Sequence, residues 1–285
     1  MQTQLQGRPL RDRRVLVKVG GETLKDPADR LRLARDCKAV VDAGAQLCLV
    51  HGAGPQITAM GQALGVQSVF KGGRRVTDAA MLRAVALAMC GEVSVDLLSA
   101  ALAVGLRAVN LPAAAGGLVV GKKRPPKLVA GESEPVDYGL VADVASTDPA
   151  VIDGLWRAGL TPLLSSLVAD VSGQLLNLNA DSLVTALVPA LQIDDVVLVT
   201  GVSGVYGQLD DPSSHLPELK DSDIAGLIAN GTVTGGMVAK LEEVAAILKK
   251  GAHQVSIVGY KDEGAIGAAL AGGPGTRTVV RRSPA

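Results

Sequence analysis

The sequence predicts an α/β fold, a three-layer αβα sandwich around a mostly parallel central sheet. Three observations predict it. Short Val- and Leu-rich runs alternate with longer helical patterns along most of the chain. The apolar fraction is 48%, yet the aromatics are one Trp, three Tyr and one Phe, so the core must be built from Ala, Val, Leu and Ile. The 34 glycines supply tight turns and points where backbone can approach a ligand. A chain of 285 residues accommodates one large domain or two coupled lobes.

Arg14–Val19 reads as a buried strand, residues 28–43 as a helix, and residues 46–50 as the next strand. Thr77 is the expected cap of a long helix from Asp78 to about Val104, with a strand at 108–111. The stretch 117–145 is rich in Gly, Pro and Lys with short Val-containing pieces, and reads as antiparallel hairpins. A helix at 149–157 and a strand at 161–166 follow. A second alternation then begins: helix 180–191, strand 195–200, a polar loop region 204–219, helices 221–230 and 235–250, and strands 254–259 and 276–281. Two lobes meeting near residues 170–176 are expected, divided as 1–173 and 174–285.

Lys plus Arg equals Asp plus Glu at 28 each, so no whole-molecule field draws the chain to nucleic acid or to an acidic membrane. Cys37, Cys48 and Cys90 are scattered without a C-x-x-C, which favours a reducing compartment over disulfides or zinc. No uninterrupted apolar run reaches the ~18 residues that span a bilayer. Met1–Arg13 is polar and basic and lacks the apolar stretch of a secretory signal. A cytoplasmic location is the expectation.

Lys18-Val19-Gly20-Gly21 ends the first strand. It sets a cation beside bare backbone N–H groups, the combination polyphosphate needs. Read alone, it fits a Gly-Gly turn with a solvated lysine equally well, and it is not a Walker A loop. His51-Gly52-Ala53-Gly54-Pro55 ends the second strand and opens a helix whose first amides face the same crevice, where open α/β sheets bind ligands. Arg75, before the Thr77 cap, can hold a carboxylate through two parallel hydrogen bonds. Alone it also fits a solvated arginine. Asn179 is the expected cap of the next helix, and Asp181 sits in its first turn, where the helix dipole alone would favour a carboxylate. Thr234 or Gly235 caps a further helix. Lys240, one turn in, opposes that dipole, and an anionic ligand would supply a reason. Phosphoryl transfer needs positive charge and amide dipoles around the moving group, which two lysines and glycine amides provide.

Taken together these motifs resemble the amino acid kinase family over nearly the whole chain, Arg14 to Val280. The pieces stand in the family's order: KVGG, HGAGP, GGRRVTD, Val136-Asp137-Tyr138-Gly139, LLNLNAD at 175–181, TGVSGVY, and TGGMVAK. The members they resemble most phosphorylate N-acetyl-L-glutamate with ATP and Mg2+, the metal being carried mainly on phosphates. The resemblance implies that Lys18 and Lys240 contact the transferring phosphoryl group from opposite lobes and that Asp181 orients both. It implies that Gly20, Gly21, Gly52 and Ala53 offer backbone amides to phosphoryl oxygens and substrate. Arg75 and Asn177 would hold the acyl-amino acid. Nucleotide would lie on Thr200, Val202, Ser203, Gly204, Val205 and Tyr206, and on Thr232, Val233 and Thr234. The first lobe would also carry dimerisation, and the second ATP.

Two positions depart from the family pattern. Ala53 replaces the middle of three glycines and is strained if that backbone needs positive φ. Gly201 stands where the family often has aspartate. Arginine-sensitive relatives carry a long N-terminal helix, whereas here thirteen mostly polar residues precede the first strand. A homodimer insensitive to arginine is the expectation. A sister activity on an amino acid linked to an acidic carrier protein would use the basic stretch Gly121–Lys127, which otherwise reads as a solvated hairpin tip. N-succinylglutamate is a further substrate option, and a non-catalytic nucleotide sensor is the alternative of another class. A Rossmann dehydrogenase is disfavoured, because no G-x-G-x-x-G opens the first helix.

Overall fold

Strand Arg14–Val19 (β1) is the centre of the molecule, with Val15, Leu16 and Val17 fully buried. A strand that is apolar on both faces must be covered by helices on both, as the expected sandwich requires. The computed structural model describes residues 9–129, 131–208, 211–273 and 275–283. Most of the polar stretch Met1–Arg13, residues 1–8, lies outside the described residues.

The first half runs through Pro27–Asp42 (α1), Gln46–His51 (β2), Gly54–Ala63 (α2), and the short pair Phe70–Lys71 (β3) and Arg74–Arg75 (β4). Ala79–Ala86 (α3), Ser94–Ala103 (α4) and Ala108–Pro112 (β5) follow. Val119–Lys123 (β6), Ala142–Thr147 (β7), Ala150–Arg157 (α5), Thr161–Ser165 (β8), Leu167–Ala169 (β9) and Leu175–Asn177 (β10) complete it. The second half contains Ala180–Ala190 (α6), Asp195–Thr200 (β11), Val205–Tyr206 (β12), His215–Leu216 (β13) and Glu218–Lys220 (β14). It closes with Asp221–Ala229 (α7), Gly236–Lys249 (α8), Gln254–Gly259 (β15), Ala265–Ala271 (α9) and Arg277–Arg281 (β16).

The eight-stranded main sheet has the order β14-β16-β15-β11-β1-β2-β8-β5 and is parallel except where β15 meets β16. First-half strands lie on one side of it and second-half strands on the other, joined where β1 pairs with β11. Strand periodicity sends Leu16 into one core, with Leu183, Leu187, Leu241 and Val244 of α6 and α8. Val15, Val17 and Val19 enter the opposite core with Leu33, Met81 and Val85. Lys18 shares the face of Leu16, so the strand aims it toward α6 and α8. A smaller sheet, β10-β9-β6-β7, contains the antiparallel β6–β7 hairpin expected in 117–145.

Several expectations need correction. Asp78, not Thr77, caps the long helix: its carboxylate accepts from Met81 N at 2.7 Å. Thr77 is buried, its backbone bridges Gly139, and its hydroxyl receives the Asn177 amide. The helix from Ala79 to Ala103 is not uniform, because Leu87–Val93 is wound as a π-helix. Among the described residues it is the one helix long and apolar enough to cross a membrane, although Arg83, Glu92 and Asp96 interrupt its apolar run. Here one face, including Met81, Val85, Met89 and Leu97, packs into the core. The polar region 204–219 contains β12, β13 and the start of β14, and α9 lies in a segment not expected to be helical. The expected strand 161–166 ends at Ser165, and β9 begins two residues later in the smaller sheet.

Candidate active site

At the end of β1, Lys18 Nζ lies 2.5 Å from Asp181 Oδ1 and 3.5 Å from Glu243 Oε1. The Lys18 side chain is 17% exposed, Glu243 12% and Asp181 44%. Asp181 occupies the first turn of α6, where Asn179 caps the helix by accepting from Asp181 N at 2.7 Å. Lys240 and Glu243 lie three residues apart on α8, on one helical face. Burial pulls the Lys18 ammonium toward losing its proton, but Asp181 and Glu243 outweigh that and its pKa ends above the ordinary value. Burial and then the positive charge of Lys18 lower the pKa of Lys240, against the pull of both carboxylates. Burial, reinforced by Asp181, pushes Glu243 up to about 7 although Lys18 works against it. Residues from β1, α6 and α8 therefore form one electrostatic cluster. Glu243 is the member that sequence reasoning missed; its three-residue spacing from Lys240 was the available signal.

The glycine turns after β1 and β2 touch. A Cβ on Gly21 would stand 2.6 Å from Gln56 Oε1 and 2.8 Å from Ala53 Cα, so only glycine permits that approach. Gln56 Nε2 donates to Gly21 O at 2.9 Å, Gly52 N donates to Val19 O at 2.9 Å, and the Thr23 hydroxyl donates to Gly20 O at 2.8 Å. Ala53 caps α2 at a negative φ of −147°, so the positive φ that would strain an alanine here is not required. His51 is fully buried, with Nε2 3.0 Å from Ser94 Oγ, and burial lowers its pKa to about 4. It is neutral at pH 7 and enclosed.

Arg75, in β4, donates to Gly54 O and Thr58 Oγ1, both at 3.0 Å, and to Ser68 Oγ. Its guanidinium stacks over Phe70, 4.6 Å from the ring centre. It is thereby tied to the first turn of α2, next to the amides of Gly52 and Ala53. Asn177 ends β10, two residues before the α6 cap, and its amide donates to Thr77 Oγ1 at 3.2 Å.

Thr200 ends β11, the neighbour of β1, and its side chain fixes the next turn: Oγ1 donates to Val202 O at 2.7 Å and accepts from Val202 N at 3.1 Å. Val205 N donates to Thr278 Oγ1 at 2.7 Å, and Gly204 packs against the same threonine and His215. Ser203 lies against Gly259, and the Tyr206 ring meets His215 at 5.1 Å. Val233 is buried and Thr234 exposed ahead of α8. Gly235 is the cap, at φ 58° and ψ −136°, a conformation essentially reserved for glycine. These loops and the Gly20–Gly21 and Gly52–Ala53 turns all follow the C-terminal ends of sheet strands, or open a helix, on the side where such sheets bind ligands. Lys18, Asp181 and Lys240 come together, and Gly21, Gly52, Ala53 and Arg75 form a second group.

A parallel sheet with backbone amides at its strand ends, and lysines from both halves beside them, is the architecture of a phosphoryl-transfer enzyme. The chain belongs to the amino acid kinase family, whose sequence profile residues 13–259 match. Acetylglutamate kinase from Anaeromyxobacter sp. (strain Fw109-5) is 38% identical over 251 residues, covering 88% of this chain and 92% of its own. The crystal structure of smu.665 from Streptococcus mutans UA159 is 26% identical with a TM-score of 0.72, over 94% of this chain and 98% of that one. Carbamate kinase from Giardia lamblia bound to AMP-PNP has a TM-score of 0.69 over 95% of this chain and 99% of that one. At 16% identity it speaks for the shared fold.

Proposed function

We propose that this chain transfers the γ-phosphoryl group of ATP to the side-chain carboxylate of N-acetyl-L-glutamate, giving N-acetyl-L-glutamyl 5-phosphate for arginine biosynthesis. The observation that carries the phosphoryl-transfer reading is the convergence of Lys18, Asp181 and Lys240 on one cluster. The relative named acetylglutamate kinase, at 38% identity over 88% of this chain, supports the choice of acceptor. The acceptor carboxylate is ionised at pH 7, so no general base is needed. Lys18 and Lys240 offset charge on the transferring and leaving oxygens, and Asp181 holds Lys18 in place. Gly20, Gly21 and Ala53 present amides, Gly52 lets the backbone approach substrate while its own amide stays on Val19 O, and Arg75 and Asn177 hold the acyl-amino acid. Thr200, Val202–Tyr206, Val233 and Thr234 line the nucleotide side. Mg2+ rides on the ATP phosphates. Residues 1–173 serve the acyl-amino acid and residues 174–285 serve ATP.

The chain acts as a cytoplasmic homodimer insensitive to arginine. The exposed Leu87, Val95 and Leu102 along the Ala79–Ala103 helix support an apolar contact between copies. The free thiols of Cys37, Cys48 and Cys90 suit a reducing compartment. Docking of an acidic carrier protein is disfavoured, because Arg124 and Lys123 of the basic stretch already face Asp143 at 2.7 Å and Asp137 at 3.5 Å. A coupled ADP-release assay compares N-acetyl-, N-succinyl- and unmodified glutamate. Turnover with the acetylated substrate is expected, and none at millimolar concentration would refute the assignment.

A further inference from the structure

Glu243 is the one carboxylate of the cluster that neither the family motifs nor the proposed transfer uses. Its Oε1 is buried 3.5 Å from Lys18 Nζ, and its carboxyl group lies against that of Asp181, which raises its proton affinity. The charged groups acting on it come from three elements: Lys18 from β1, Asp181 from α6 and Lys240 from its own α8. With both carboxylates ionised, the two lysines are fully neutralised and offer little net attraction to a polyphosphate. With Glu243 neutral, the cluster carries one net positive charge where the anion arrives.

We infer that Glu243 is a positioning residue that takes up a proton from solvent when the nucleotide's terminal phosphate binds, releasing Lys18 from a competing carboxylate. The proton moves from the buffer to a Glu243 oxygen and no covalent bond changes. The geometry supports this, with Glu243 buried 3.5 Å from Lys18 Nζ, and so does its titration. Glu243 already lies near its titration midpoint at neutral pH, pushed up to about 7 chiefly by burial. A further negative charge about 5 Å away raises the proton affinity of such a group on the order of a hundredfold. Binding and protonation are then linked, and nucleotide affinity falls as pH rises through the window above 7. The inference rests on the reading that Lys18 faces the transferring phosphate.

Calorimetric titration of the enzyme with the magnesium complex of a non-hydrolysable ATP analogue tests it at pH 8, in two buffers of different ionisation enthalpy. Wild type is expected to take up on the order of 0.5–1 proton more per nucleotide than Glu243→Gln, whose amide holds the shape of the neutral acid. Equal proton uptake overturns the inference. Wild type alone gives a second readout that does not depend on the variant folding. Its Kd for the analogue should weaken about tenfold from pH 7 to pH 9, and a flat profile overturns the inference. Binding without the extra proton defeats this inference alone. Absence of nucleotide binding defeats it together with the reading beneath it.

Discussion

Replacing Lys18 by Met keeps the apolar stem and removes only the ammonium that faces Asp181 and Glu243. Deleting one preorganised donor to a developing charge costs about 10²–10³ in kcat, about 2.7–4 kcal/mol of transition-state stabilisation. The fold should suffer far less. Stripping the partner from a fully buried carboxylate costs about 3–5 kcal/mol. Neither carboxylate here meets that condition: the Asp181 side chain is 44% exposed, and Glu243, pushed up to about 7, takes a proton near neutrality. Discounted for solvent screening, the loss of stability is about 1 kcal/mol or less, a Tm shift of about 2–4 °C at most. ADP release with saturating N-acetyl-L-glutamate gives kcat, and a melting curve at pH 7 gives the shift. Because the lost interaction grows in the transition state, kcat should fall much more than KM rises. A folded Lys18→Met enzyme within tenfold of wild-type kcat would refute the reasoning.

Gly21→Ala forces a Cβ within 2.8 Å of Ala53 Cα and should cost about 1–3 kcal/mol by thermal melting together with activity. Gly20→Ala, with open space around its Cβ and φ −79°, should leave the melting temperature nearly unchanged. Arg75→Lys loses the fork that bridges Gly54, Thr58 and Ser68, and KM for N-acetyl-L-glutamate should rise about 10–100-fold by steady-state kinetics. His51 has a folded pKa of about 4, below its unfolded value of about 6.5, so the unfolded chain binds its proton first as pH falls. Above about pH 6.5 the residue costs nothing. Between there and pH 4 it removes about 3 kcal/mol of stability, and urea denaturation of His51→Asn against wild type at both ends of that window measures the difference.

Much of this site was written in local patterns. The Val-rich run of β1, the Asn179 cap and the glycines at strand ends each follow from nearest-neighbour physics, and they appear where the residues dictate. Glu243 was not legible in that way. Spacing puts Glu243 rather than Glu242 on the helical face of Lys240, but only the packing of α8 beside β1 buries that carboxylate against Lys18. Cap chemistry alone does not separate Asp78 from Thr77, because both side chains suit the position. The contacts that recruit Thr77 elsewhere come from Gly139 and Asn177, about 60 and 100 residues away. The π-wound Leu87–Val93 has no periodicity of its own to betray it. Ala53 was a question sequence alone left open, and a backbone φ of −147° answers it.

The convergence of Lys18 and Lys240 on one phosphoryl group is tested most directly by a crystal structure of the enzyme with ADP, Mg2+, aluminium fluoride and N-acetyl-L-glutamate. Both Nζ atoms should lie within hydrogen-bonding distance of the fluorides that mimic the moving group, with Asp181 still holding Lys18. Either amine turned away from the fluorides toward solvent would contradict that convergence.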